Sequence, residues 1–539
     1  MSEHAEWSSG TAAKAAAVHA VDTADIGRTP VARTEYGKVS GFLDGSVAAW
    51  YGIPYGAPVT GTRRFRPPAP PQRWPWVKEC TTFGDLAPQT MGAMVPVDSD
   101  LRMGEDCLWL NVWTPRGGAV REDGEPRPVM VWLHGGAYCL GTAAQAVYDG
   151  RRLAETGDVV VVGVNYRLGA LGFLDLSSLF HGFTPNLGLH DQIAALEWVR
   201  DNIAAFGGDP GNVTLFGESS GAGCVTALLT APRAAGLFHR AIAQSPPATT
   251  VFGQQRAAGV ARRFLELIEL PAARALELID MPIDRIVQAA GVLLDEVPLR
   301  EPGRLGAAPV VDGDLLPAYP VDRFQAGRSH RVPLIIGTNK DEASLFRVFR
   351  SPIMPVTPEA VNLMLEDVAA SHPEVSAERI AEITSAYPDL AKTRGALAMS
   401  TDAAFRMPAH WVADGHAQHS PTWTYRFDHA TPMLRAARVG AGHATELPYV
   451  FGNFGTLNHD PTFWLGGRKA ATEVSGRMMR RWLAFATHGV PAAIDGSKHW
   501  PPYRPGTRST LLIDTVDRVV EDPDAHLHTA WGDQAVGFS

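Results

Sequence analysis

The chain has 539 residues, 45% hydrophobic and 19% charged, a globular composition with apolar material for a large core that excludes disorder along its whole length. Lys+Arg number 48 and Asp+Glu 57, a formal net charge of −9, which gives no general attraction to phosphate backbones or anionic lipid. Nucleic acid is therefore not an expected partner.

Residues 1–30 are Ala-rich but carry Glu3, Glu6, Asp22 and Asp25, and no basic start leads into an apolar stretch. They read as a flexible tail rather than a signal peptide, and the protein as cytoplasmic. Apolar, β-branched runs bounded by Gly, Pro or Asp predict strands at 38–42, 47–51 and 108–113, then at 128–133, 159–164 and 213–216. The proline-dense residues 65–75 read as a surface arm. The three later strands lack clean alternation, as expected of a parallel sheet covered by helices on both faces. Between two of them, 189–206 has helical periodicity, with Ile193, Leu196, Val199 and Ile203 on one face. Further strands are predicted at 241–244, 332–337 and 422–427, and helical insertions at 251–299 and 357–390. No apolar run approaches the ~20 residues of a membrane-spanning helix.

The strand–helix–strand rhythm predicts an α/β fold with a large, mostly parallel central sheet flanked by helices. Helical insertions and a small N-terminal β region would join it in one domain over 31–539. Cys80, Cys107, Cys139 and Cys224 are too few for a disulfide scaffold and form no Cys-x-x-Cys pair, so they read as buried thiols in a reducing compartment.

The predicted strand 213–216 runs into Gly217-Glu218-Ser219-Ser220-Gly221 and then a helical stretch. In a strand–turn–helix context, Gly-x-Ser-x-Gly puts the middle serine at the apex of a sharp turn, where side chains at the flanking positions would strike neighbouring backbone. Ser219 is then a nucleophile, and the backbone N–H of Ser220, at a helix start, can stabilise an oxyanion. The strand 128–133 ends in His134-Gly135-Gly136-Ala137-Tyr138, a glycine pair that leaves N–H groups free to face a pocket. A nucleophilic serine needs an acid and then a histidine in chain order. Position alone leaves both Asp341 and Glu342, just after the strand 332–337, open as the acid. For the base, His410, His416, His419, His429, His443 and His459 lie downstream, and His443 stands out by its Gly440-Ala441-Gly442 lead and the apolar 447–451 behind it.

With these residues the sequence resembles the type-B carboxylesterases, bacterial para-nitrobenzyl-type esterases among them. The likeness runs from about Val31 to about Tyr503 and is carried by Gly52-Ile53-Pro54-Tyr55, Glu105-Asp106-Cys107-Leu108, Asn165-Tyr166-Arg167-Leu168 and Phe206-Gly207-Gly208-Asp209-Pro210. It implies an α/β-hydrolase fold and a serine esterase of carboxylic esters that needs neither metal nor organic cofactor. The resemblance places the acid on Glu342 and the base on His443. It places the oxyanion donors on the backbone of Gly136, Ala137 and Ser220, and supporting roles on Glu218 and Ser245. Three departures stand out. Ser220 replaces the family's usual alanine, Pro246-Pro247 follow Ser245, and Ala87 stands where secreted members have the cysteine that pairs with Cys107. The expected partner is a small-molecule ester, met by a monomer or homodimer. Hydrolysis of a related acyl bond (carbamate, amide or thioester), interfacial lipase action and a non-catalytic binding protein are the competing readings. Residues 90–104 contain no aromatic residue, and Met91, Met94, Val95, Val97, Leu101 and Met103 are expected to form an adaptable apolar wall suited to neutral esters rather than choline esters. A histidine base of ordinary pKa predicts activity rising through about pH 6–7.

Overall fold

The structure is a computed structural model that describes residues 29–91, 101–116, 121, 124–371, 375–454, 460–493 and 499–536. Most of the expected tail, Met94, Val95, Val97 and His459 lie outside the described residues. The strands in chain order are β1 (Val31–Thr34), β2 (Gly37–Ser40), β3 (Phe42–Asp44), β4 (Val47–Pro54), β5 (Val77–Glu79), β6 (Trp109–Pro115) and β7 (Arg127–Leu133). They continue with β8 (Val160–Val164), β9 (Gly208–Glu218), β10 (Arg240–Gln244), β11 (Leu334–Asn339), β12 (Thr422–Phe427), β13 (Ser509–Ile513) and β14 (Arg518–Glu521).

Strands β1, β2 and β5 form a small N-terminal sheet, and the other eleven form one large sheet in the order β14-β13-β12-β11-β10-β9-β7-β8-β6-β4-β3. From β13 to β8 every neighbouring pair is parallel, while β14 and the β6, β4, β3 edge run antiparallel. The expected run 38–42 is broken at Gly41, where a Cβ would sit 2.1 Å from the Ala49 carbonyl oxygen. The expected strand 213–216 extends to eleven residues. The proline-rich arm has no regular structure but is pinned, with Phe65 and Trp74 buried.

Burial explains why the central strands do not alternate. Val129, Val131 and Leu133 of β7 join one core, whereas Met130 and Trp132 join a second on the opposite face. The helix Leu187–Asn202 packs on the first face and Arg468–His488 on the second. Both faces are thus withheld from water, which favours apolar residues at consecutive positions. Among the described residues no helix is long and apolar enough to cross a membrane, and the four cysteines are buried and unpaired.

The distinctive sequence stretches become braces beneath the sheet's C-terminal ends. Arg167 makes a two-pronged ion pair with Asp191 at 2.6 and 2.8 Å, both fully buried. Tyr166 donates its hydroxyl to the His134 carbonyl at 2.6 Å and stacks on that imidazole, and Asn165 donates to the Cys107 carbonyl. Arg64 pairs with Glu105 in the same two-pronged way and also caps the carbonyls of Leu278 and Met281. Removing one partner of such a pair strands a buried charge. Asp191→Asn should lower stability by about 3–5 kcal/mol, read as a fall in the urea midpoint at unchanged slope, and an unmoved midpoint would contradict this account.

Candidate active site

Strand β7 leads into a chain excursion on the β8 side of the sheet, and β9, its neighbour, leads toward β10. Their C-terminal ends therefore flank a crevice where the strand order reverses, the place where open α/β sheets bind ligands. Ser219 follows β9 at once and precedes the helix Ser220–Leu228 with φ 56° and ψ −128°. That backbone conformation is rarely adopted by a residue with a Cβ and costs on the order of 1–3 kcal/mol. The turn is held by the Ser219 N–H to the Gln244 carbonyl at 2.9 Å and by the Gly223 N–H to the Ser219 carbonyl at 2.8 Å. It is also tight against β7: a Cβ on Gly221 would lie 2.2 Å from the Leu133 carbonyl oxygen, so only glycine fits.

The loop after β7 is as sharply bent. Gly136 has φ 124°, and Ala137 and Tyr138 also take positive φ. Gln89 pins the loop by accepting from the Gly141 N–H and donating to the Gly141 carbonyl. Among the described residues the N–H groups of Gly136, Ala137 and Ser220 meet no backbone or side-chain acceptor, and all three residues line one cavity with Ser219. His134 is fully buried, its pKa depressed to about 4 by that burial, so it serves the loop as a neutral ring.

Across the cavity, His443 Nε2 lies 2.8 Å from Ser219 Oγ and Nδ1 lies 2.7 Å from Glu342 Oε2. Glu342 is fully buried and also accepts from Ser245 Oγ and the Asn339 N–H, each at 2.6 Å. Ser245 reaches the carboxylate despite Pro246-Pro247, at a positive φ of 50° that its N–H bond to the Gly337 carbonyl helps hold. Asp341 points elsewhere, accepting from the Ala441 N–H in the loop that carries His443. The other described candidate histidines lie away from Ser219: His416 bonds Val332 and Ser329, His429 faces Asp514, His410 faces Asp524, and His419 is exposed beside Gly327. Glu218 Oε1 lies 3.2 Å from His443 Nε2.

Sequence reasoning did not single out Glu446 or Asn339. Glu446 is fully buried, three residues after His443, and accepts from Gln244 Nε2 at 3.1 Å and Asn339 Nδ2 at 2.5 Å. The only signal was a lone carboxylate opening an apolar run. Phe405 was also missed; its ring stacks on the His443 imidazole at 4.6 Å.

The cavity holds about 270 Å³ and is walled by Leu305, Phe346, Ile353, Met354, Met364 and Phe405. The apolar wall expected from 90–104 is not among the described lining. Met91 and Met103 are exposed at the surface, and Leu101 packs in a small separate cluster with Trp109. Methionines do line the cavity, but they are Met354, in the stretch before the helix Pro358–Ser371, and Met364 within it. Among the described residues no group of three or more His, Cys, Asp or Glu is placed to hold a metal ion.

Residues 28–530 match the carboxylesterase family. The chain belongs to that family. It is 36% identical over 499 residues to para-nitrobenzyl esterase of Bacillus subtilis (strain 168), covering 92% of this chain and 97% of the relative. It is likewise 36% identical over 497 residues to fumonisin B1 esterase of Sphingopyxis macrogoltabida, covering 88% and 84%. A solved PNB esterase superimposes with a TM-score of 0.81 at 35% identity, over 93% of this chain and 99% of that one. The α/β-hydrolase fold and the serine carboxylesterase activity expected from the resemblance both hold.

The charges of this carboxylesterase's site are unevenly matched. Burial disfavours the His443 imidazolium, but Glu218 and Glu342 outweigh it and raise the histidine pKa to about 9. Burial raises Glu218 to about 8, against the pull of His443. The imidazole therefore titrates above the ordinary histidine pKa. With His443 as the base, the imidazole must be neutral to take a proton, and the acid limb of kcat/KM should lie above the pH 6–7 expected of an isolated histidine. An ionised Glu218 favours the imidazolium, so Glu218→Gln should move the limb to lower pH. A limb that stays put on a pH–rate profile would contradict the assignment.

Proposed function

We propose that Ser219, His443 and Glu342 are the nucleophile, base and orienting acid of a two-step ester hydrolysis. The observation that carries this reading is the unbroken hydrogen-bonded line from Ser219 Oγ through both ring nitrogens of His443 to a fully buried Glu342. His443 takes the serine proton as Oγ attacks the ester carbonyl, and Glu342 holds the tautomer with Nδ1 protonated and stabilises the imidazolium. The N–H groups of Gly136, Ala137 and Ser220 receive the oxyanion, each worth about 3 kcal/mol. His443 then returns the proton to the leaving alkoxide and activates water against the acyl-enzyme. Glu218 and Ser245 support the histidine and the acid. The whole of 31–539 forms one catalytic domain, acting as a monomer or homodimer in the cytoplasm, a location that four buried, unpaired thiols suit.

The substrates are neutral carboxylic esters with short to medium acyl groups. A cavity of about 270 Å³ with an apolar wall supports this size class, and its described aromatic lining is Phe, Tyr and His with no tryptophan face for a quaternary ammonium. Ser219→Ala should remove turnover, a loss on the order of 10⁶ in kcat, whereas Ser220→Ala should cost little because its backbone does the work. Glu342→Gln should cost about 10⁴ through the wrong imidazole tautomer, and Asp341→Asn far less. Equal losses at 341 and 342 would sink the assignment of the acid.

Acetylcholine and its neutral isostere, with a tert-butyl carbon in place of the ammonium nitrogen, separate the substrate classes. The neutral ester should have the higher kcat/KM, and the reverse order would overturn the substrate class.

A further inference from the structure

The helical layer beside the cavity changes pitch where it passes His443. Between the helices Thr393–Thr401 and Met407–His416, residues Asp402–Arg406 form a π-helical turn. Such turns cost regular hydrogen bonding and recur at functional sites. Here the widened turn sends two successive side chains to two members of the site. Phe405 lies against the His443 imidazole, the planes 29° apart. Arg406, 8% exposed, goes behind it and donates Nη2 to the carbonyls of Lys340 at 2.8 Å and Asn339 at 3.3 Å. Those carbonyls belong to the short turn between β11 and Glu342, and the same turn supplies the Asn339 N–H that bonds Glu342 Oε1. On the other side of Glu342, the Ala343 N–H donates to Thr401 Oγ1. The segment 339–343 is thus tied to this helical layer both before and after the carboxylate.

Arg406 is itself held from behind. Its Nη1 donates to Asp402, whose other oxygen accepts from the Tyr387 hydroxyl at 2.8 Å. That hydroxyl accepts from Trp531 Nε1 at 2.9 Å, in the C-terminal helix Ala525–Trp531. Asp524, just before that helix, lies 3.9 Å from Arg406 Nε, accepts from Arg426 Nη1 at 3.0 Å and faces His410 Nε2 at 3.5 Å. Neither Arg406, Asp402, Tyr387, Asp524 nor Trp531 lines the cavity. A buried guanidinium spending two donors on a loop's carbonyls fixes that loop in place, since the carbonyls cannot shift without stranding the charge.

We propose that Arg406 is a positioning residue that holds the 339–340 turn, and through it Glu342, in line with His443. The C-terminal helix belongs to the same device, through Asp524 and Trp531. This rests on Glu342 being the acid of the triad. Its consequence is that residues near the far end of the chain set the rate of the chemical step without touching substrate.

The test uses the full-length enzyme and a chromogenic acetate. Competent sites are counted by complete reaction with a serine-directed phosphonate, so that kcat is expressed per competent site. Arg406→Met should lower kcat per site about 10- to 100-fold, the loss expected when a reacting group shifts by near an ångström, with KM little changed. Arg406→Lys, whose ammonium can still reach one carbonyl, should recover most of it. Tyr387→Phe keeps the ring and removes the hydroxyl that braces Asp402, and should lower kcat several-fold. A purely structural role would reduce the number of competent sites and leave kcat per site unchanged, and that result would overturn the proposal. Should Arg406→Met fail to fold, Tyr387→Phe decides by the same readout. Glu342→Gln runs alongside: if it stays active, the triad reading itself falls. If it is inactive while Arg406→Met and Tyr387→Phe turn over at the normal rate, only the positioning role falls.

Discussion

A carboxyl group with no contact with water sits beside an imidazole, and the rest of the site is arranged to satisfy its oxygens. A buried polar group left without partners is expensive in an apolar interior. Glu342 escapes the penalty by accepting from His443 Nδ1, Ser245 Oγ and the Asn339 N–H. These donors come from the loop after β12, the exit of β10 and the exit of β11 respectively. The parallel register of β10 against β11, with Gln244 opposite Gly337, brings Ser245 to the level of the Asn339 turn. Sheet pairing therefore decides the hydrogen-bond partners of a side chain that belongs to no strand.

The same economy governs the serine. A strained φ at Ser219 persists because the surrounding structure over-determines it, through the Gln244 carbonyl on one side and β7 on the other. The facing loop is fixed by Gln89 and by Tyr166 on the His134 carbonyl. N–H groups held this way would receive an oxyanion without reorganisation, the condition under which such donors are most effective.

What could be read from the sequence was what local chemistry encodes. Glycines at 217 and 221 and the bend at 135–136 mark backbone geometry that few other residues accept. The unalternating strands reveal a sheet buried on both sides. Three edge strands, β1, β5 and β14, gave no signal because short, partly exposed strands carry little pattern, and β13, buried between β14 and β12, was missed as well. Residues that act through tertiary contact were invisible for a different reason. Glu446, Phe405 and Arg406 are ordinary members of helical stretches or their ends, and only the fold brings them to Asn339, to His443 and to the carbonyls before Glu342. The methionines at 91 and 103 misled because their composition suits a cavity wall, whereas the chain path leaves them at the surface and recruits Met354 and Met364 instead. The histidine pKa was unreadable because the carboxylates that shift it lie far off in sequence or were not counted together.

The contact between Gly221 and the end of β7 bears on how the chain folds. Strands β7 and β9 are neighbours in the sheet, but all of β8 and the helix Leu187–Asn202 separate them along the chain. Pairing them requires closing a long loop before any reward arrives, so it is a slow, non-local event. The turn at Ser219 has nothing to press against until that pairing is complete. Collapse and helix formation can precede it, but the strained turn at Ser219 cannot, so the geometry of the site depends on non-local sheet pairing.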